Sequence, residues 1–172
     1  MFNITDFENL KEEDRYKSMV YALDGITSGG DGEKDITKLS NSTAVINSIL
    51  TRANWCGFYI NINEILELGP FQGRPACTKI PLNKGVCGAC ATERKTILVE
   101  NVHNFPGHIA CDALTNSEIV LPIQVNNKLY GVLDIDSEEI GRFTELEKGY
   151  LEKCVDTLLK NINWEKVLEY YK

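Results

Sequence analysis

The sequence predicts an α+β domain in which a central antiparallel sheet carries helices from the N-terminal and C-terminal ends of the chain. Three observations lead there. Apolar residues recur at helical spacing at both ends, aromatic and β-branched runs fill the middle, and short polar turns join those runs. The 172 residues, 43% hydrophobic and 25% charged, are enough for one core, so a single domain over 1–172 is expected.

Each element follows from its pattern. Over 6–26, Tyr16, Met19, Val20 and Leu23 fall on one face of a charged segment and predict a surface helix. Gly25 and Ser28-Gly29-Gly30-Asp31-Gly32 predict a flexible loop at about 25–34. A second helix is expected between Asp35 and Ala53 from Ile36, Leu39, Ile46, Ile49 and Leu50. Trp55–Ile62 and Ile65–Gly69, separated by Asn63-Glu64, read as an antiparallel hairpin. Three further strands are expected at Thr96–Val99, Ile119–Val125 and Leu129–Ile135, with Asn126-Asn127-Lys128 turning the last pair. Phe143, Leu146, Tyr150, Leu151, Val155, Leu158, Leu159 and Ile162 form the stripe of a long final helix, and Thr144 and Glu147 suit a capping box at its start.

Composition narrows the function classes. A net charge of −7 and the absence of any Lys/Arg run argue against a nucleic-acid groove. No stretch approaches the roughly 18 apolar residues of a membrane span, and Met1–Asp6 lacks the basic and apolar regions of a signal peptide, so the cytoplasm is the expected location. Six cysteines in a chain of this length are then expected to be reduced thiols rather than a secreted disulfide scaffold.

Cys77, Cys87 and Cys111 lie in Gly-, Pro- or His-containing segments and read as thiol redox chemistry. Cys56, in a strand, and Cys154, in the final stripe, fit simple packing. Pro81–Glu93 reads as a glycine turn entering a short helix with Cys87 in its first turn, where backbone N–H groups favour a thiolate and are expected to lower its pKa. Cys87-x2-Cys90 followed by His103-x4-His108 also satisfies zinc-finger spacing. Pro106-Gly107 between the histidines would break the helix such a finger needs, and the Thr96–Val99 strand occupies its start.

Carboxylates complete the pattern. Glu118 precedes one strand, and Asp134 and Asp136 share a face of the next, with Leu133 and Ile135 directed to the core. Such a pair is either solvated surface or a pocket in which like charges raise a pKa until a carboxylic acid donates a proton near neutrality.

Five segments together resemble the free methionine-R-sulfoxide reductases, a branch of the GAF-domain fold: Leu68-Gly69-Pro70-Phe71-Gln72-Gly73, Gly85-Val86-Cys87-Gly88, Gly107-His108-Ile109-Ala110-Cys111-Asp112, Asn116-Ser117-Glu118-Ile119-Val120-Leu121-Pro122 and Gly131-Val132-Leu133-Asp134-Ile135-Asp136-Ser137. The resemblance implies a GAF-like domain that reduces the R-epimer of free methionine sulfoxide with no metal or organic cofactor. It implies Cys111 as nucleophile, Cys77 as its disulfide partner and Cys87 as a third active-site thiol. Trp55 and Tyr59 would surround the substrate methyl, and Glu118, Asp134 and Asp136 would form an acidic pocket. A sulfenic acid and a disulfide reset by thioredoxin or an equivalent dithiol would complete the cycle. Homodimers are common in such proteins, and one is expected here. The residues alone favour Cys87 as the most acidic thiol and the resemblance favours Cys111, which leaves the first attacker open. Cys90 has no counterpart in the family pattern. A non-catalytic GAF module that binds a small molecule or senses redox state is the competing reading, although the Asn-Lys-x-Phe-Asp-Glu pattern of cyclic-nucleotide-binding relatives is absent.

Overall fold

Tyr16, Met19, Leu23 and Thr27 repeat every three or four residues, and that stripe seats helix α1, Glu12–Thr27, on the core. The computed structural model describes residue 7 and residues 9–29, 32–109 and 111–172; residues 6, 8, 30 and 31 of the expected helix and loop lie outside them. Gly25, expected to open the loop, is helical. A single glycine costs a helix only about 1 kcal/mol, and α1 runs on to its cap at Ser28. Helix α2, Asp35–Ile49, buries Leu39, Val45, Ile46 and Ile49 and ends four residues before the expected limit at Ala53.

The sheet has six strands: β1, Trp55–Ile62; β2, Ile65–Gln72; β3, Lys79–Pro81; β4, Ile97–Val99; β5, Ser117–Val125; and β6, Lys128–Ser137. Their order is β3-β2-β1-β6-β5-β4, and all the pairings are antiparallel. Both long hairpins turn on two residues with positive φ, Asn63-Glu64 and Asn126-Asn127, as tight hairpin turns require. Lys128 therefore belongs to β6 and not to the turn. The β1–β2 register shifts between Gly57 and Tyr59, opposite Gly69 and Pro70, so the proline falls where the ladder is irregular. The three-residue β3 is too short for periodicity to reveal it.

Alternation splits the sheet into two faces. Cys56, Phe58, Ile60, Ile119, Leu121, Leu133 and Ile135 point to a core closed by α1, α2 and the long helix α4, Glu145–Asn161. Trp55, Tyr59, Val120 and Val132 point the other way, to a smaller cluster closed by helix α3, Gly85–Glu93. The terminal helix α5, Trp164–Glu169, adds Trp164, Val167 and Leu168 to the first core.

The start of α4 modifies the capping-box expectation. Thr144 Oγ1 does accept from the Glu147 N–H at 3.2 Å. The Glu147 carboxylate does not reach back to the helix end. It is fully buried and takes hydrogen bonds from Arg142 Nη1 and Nη2 at 2.7 and 3.0 Å. Leu146, expected in the buried stripe, is exposed, whereas Cys154 is buried in the stripe as expected.

Candidate active site

The second sheet face carries the acidic residues. In the β5–β6 ladder Glu118 sits opposite Asp136 and Val120 opposite Asp134, so all three carboxylates project from the face away from the helical core. Of the two readings of the aspartate pair, the pocket fits and the solvated surface does not: Glu118 and Asp134 are each 6% exposed, and Asp136 is half-buried. Helix α3 lies over them. Its entry is set by Gly85, at φ +64°, whose N–H donates to Gly107 O at 3.2 Å. A Cβ on Gly88 would stand 2.5 Å from Pro81 O, so only glycine lets α3 approach the chain after β3 this closely.

That approach places the Cys87 thiol on the carboxylates. Cys87 Sγ lies 3.9 Å from Glu118 Oε1, and the donor atoms of Cys87, Glu118 and Asp134 are all within 4.8 Å of one another. The other two cysteines approach on loops. Cys77 sits between β2 and β3, Cys111 follows the 3-10 turn Val102–Asn104, and the two are joined by a disulfide. The Tyr59 hydroxyl donates to Cys77 O at 3.0 Å and the Trp55 indole N–H to Arg74 O at 3.0 Å, so both aromatics hold the Cys77 loop. Arg74 Nη1 stands 3.8 Å from Asp112 Oδ1 across the disulfide. Trp55 itself lies over Gly57, where a Cβ would come within 2.4 Å of the indole.

Between these elements is a cavity of about 30 Å³, bounded among others by Lys84, Cys87, Cys111, Glu118, Asp134 and Asp136. Cys77, Trp55 and Tyr59 are not among its lining residues. Lys84, His108, Asp112 and Thr115 do line it; His108 was weighed from the sequence only as a zinc ligand, and the other three were not picked out. They lie in loops or at a helix entry, where no periodicity marks direction. Two buried lining atoms, Asp134 Oδ1 and Thr115 Oγ1, have no hydrogen-bond partner.

Burial dominates the electrostatics. It pushes the Glu118 carboxyl well above the usual carboxylate range, with the Asp134 and Asp136 charges adding to it. Burial also raises Asp136 well above that range, helped by Asp134 and Asp112. Asp134 is raised by burial to about 6, moderated by its contacts with Cys87 and Glu118. At neutral pH the site thus retains protons on carboxyl groups. The same environment overturns the expectation of an acidic Cys87: burial, then Asp134 and Glu118, drive its thiol well above the ordinary value. The helix-end effect is outweighed by desolvation and two facing carboxylates. Cys90 is raised for the same first reason and directs its Sγ to Val120 O at 3.4 Å. His103 Nε2 lies 2.9 Å from Asn116 Oδ1, and among the described residues neither Cys90 nor either histidine joins the group of potential metal ligands that contains Cys87, so the zinc-finger spacing is not a finger.

Residues 35–160 match the GAF domain family model. The chain is 48% identical over 125 residues to the free methionine-R-sulfoxide reductase of Escherichia coli, covering 73% of this chain and 76% of that one. It is 38% identical over 162 residues to the free methionine-R-sulfoxide reductase of Saccharomyces cerevisiae, covering 89% and 88%. The X-ray structure of free methionine-R-sulfoxide reductase from Neisseria meningitidis in complex with its substrate superposes with a TM-score of 0.85 at 32% identity, over 95% of this chain and 96% of that one.

Proposed function

This chain belongs to the GAF-domain family, in the branch of the free methionine-R-sulfoxide reductases, and we propose that it reduces free L-methionine-R-sulfoxide by thiol chemistry at Cys111. The observation that carries this reading is the Cys77–Cys111 disulfide at the edge of a cavity lined by the buried Glu118 and Asp134 carboxyl groups and the half-buried Asp136.

A sulfoxide sulfur is a poor electrophile until its oxygen is protonated. Glu118 or Asp136, held above the usual carboxylate range, supplies that proton. The Cys111 sulfur attacks the substrate, methionine leaves, and the oxygen remains on Cys111 as a sulfenic acid. Cys77 then attacks that sulfur, water leaves and the disulfide forms. A dithiol of the thioredoxin class exchanges with the disulfide and restores two thiols. Cys111 suits the attacking role because it is half-buried and paired with Cys77, whereas Cys87 is buried with its proton facing carboxylates. The ionised carboxylates bind the substrate ammonium, and this contact selects the free amino acid over peptide-bound methionine sulfoxide. A volume of about 30 Å³ holds a single water-sized group, so substrate enters after the disulfide is reduced.

The test is a coupled assay in chelator-treated buffer, with each epimer of free methionine sulfoxide, a thioredoxin system and Cys111→Ser alongside. Turnover of the R-epimer alone, abolished in Cys111→Ser, is expected. Fully reduced, folded protein that turns over neither epimer would shift the assignment to a ligand-binding GAF module. Comparable activity on a methionine-sulfoxide peptide would remove the ammonium contact.

A further inference from the structure

The reductase chemistry above leaves Cys87 without a reaction, although its sulfur meets two carboxyl groups at the base of the cavity. We propose that Cys87, Glu118 and Asp134 form a site for a borderline-soft divalent cation, Zn²⁺ foremost, which occupies the cavity floor and excludes substrate. The ion is an inhibitor of this site and not a cofactor of it.

Geometry supports the assignment first. The three donor atoms lie within 4.8 Å of one another, and the Cys87 Sγ to Glu118 Oε1 separation is 3.9 Å. Tetrahedral zinc with Zn–S of about 2.3 Å and Zn–O of about 2.1 Å needs donor separations of roughly 3.4–3.6 Å. Rotamer adjustments of a few tenths of an ångström to at most about 1.4 Å close that gap. All three donors stand on regular elements, α3, β5 and β6, which fixes their directions before any ion arrives.

Polar satisfaction is the second and independent observation. Asp134 is 6% exposed, and its buried Oδ1 has no hydrogen-bond partner beyond the titratable Cys87 and Glu118 side chains of the site itself. A buried carboxylate oxygen in that condition costs free energy, and a cation would relieve it. The cavity of about 30 Å³ has room for one water-sized guest, which matches a single ion. The donor chemistry then selects the ion: one thiolate with two carboxylates favours Zn²⁺ or Co²⁺ over Mg²⁺ and Ca²⁺, which take oxygen alone.

Binding moves no electrons. The thiol proton of Cys87 and the carboxyl proton of Glu118 pass to solvent, and two charges on the ion replace them. If the site is the reductase centre proposed above, the ion competes with substrate for the cavity, so Zn²⁺ raises the apparent KM and a chelator restores it.

The experiment uses the protein with the Cys77–Cys111 disulfide intact, so that those two sulfurs cannot capture metal. Co²⁺ alone is titrated near neutral pH and followed by its thiolate charge-transfer and tetrahedral ligand-field bands. One Co²⁺ per chain, displaced by Zn²⁺, is expected. Cys87→Ser abolishes the charge-transfer band, Asp134→Asn weakens binding at least tenfold, and Cys90→Ser leaves the spectrum unchanged, with melting curves confirming that each variant is folded. A charge-transfer band that survives Cys87→Ser, or no one-to-one binding of either ion at micromolar protein, overturns the proposal. Neither result bears on the reductase reading, whose assay is run in chelator.

Discussion

Glu118 shows at the scale of one residue why a buried acid is costly to the fold and useful to the site. Its pKa is raised in the folded protein, as are those of Asp134 and Asp136, so the folded state binds more protons than the unfolded state at intermediate pH. The stability linked to these groups is full below the unfolded carboxylate value near 4 and is lost as pH rises through the raised folded values. For Asp134 that window runs from about 4 to about 6; for Glu118 and Asp136 it extends higher. Glu118→Gln keeps the shape and removes the ionisation. At alkaline pH the variant is expected to be more stable by about 1–3 kcal/mol, or roughly 3–10 °C in melting temperature. Its kcat is expected to fall by about 10²–10³, the share of a positioned general acid. Calorimetry across pH together with steady-state kinetics reads both, and a melting profile identical to the parent would show that Glu118 ionises freely. The parent's kcat/KM should also decline on the alkaline side as the shared carboxyl proton is lost. If that limb persists unchanged in Glu118→Gln, the titrating acid is Asp136 instead.

At the scale of elements, the close seat of α3 decides where Cys87 meets the carboxylates. Gly88→Ala would put a Cβ 2.5 Å from Pro81 O and 2.9 Å from the Leu82 backbone, and backbone atoms cannot rotate away as a side chain would. The helix must lift, so a loss of about 1–3 kcal/mol is expected, with a larger relative loss of activity than of stability. Unchanged activity in a folded Gly88→Ala protein would mean that the site tolerates a displaced α3. The α4 entry offers a second case. Arg142→Met leaves the Glu147 carboxyl fully buried without its ion-pair partner, and a loss of about 3–5 kcal/mol is expected by denaturant titration. These contacts also mark the limit of what could be read from sequence. Tyr16, Met19 and Leu23, the β1–β2 and β5–β6 hairpins and the Asp134/Asp136 alternation were legible because periodicity is a local property. The three-residue β3, the Arg142–Glu147 pair and the lining by Lys84, Asp112 and Thr115 depend on which segments meet, and no local pattern encodes that. Cys87 was located correctly but given the wrong acidity, because its neighbours Glu118 and Asp134 are more than thirty residues away.

The molecule as a whole is two cores on one sheet, and the Cys77–Cys111 disulfide belongs to the smaller one. That bond closes a segment 34 residues long containing β3, α3 and β4. In the chain-entropy view, cross-linking a loop of that length stabilises the fold by about 4 kcal/mol. The Tyr59 to Cys77, Trp55 to Arg74 and Arg74 to Asp112 contacts act on the same two loops, so the disulfide is one tie among several. Opening it is therefore expected to loosen the smaller core while the helical core stays folded. Melting temperature should fall on reduction by on the order of 10 °C. Amide exchange should accelerate in 73–78, 105–109 and 111–116, while Leu133, Ile135 and Leu151 remain protected. The same fall should be built into Cys77→Ser, whose melting temperature should no longer respond to reductant. Cys87→Ser should keep the full redox-dependent shift, because its thiol is outside the bond. A reduced protein that melts with its oxidised form would mean that the noncovalent ties alone set the stability of the smaller core, and the disulfide would then be free to cycle without any cost to the fold.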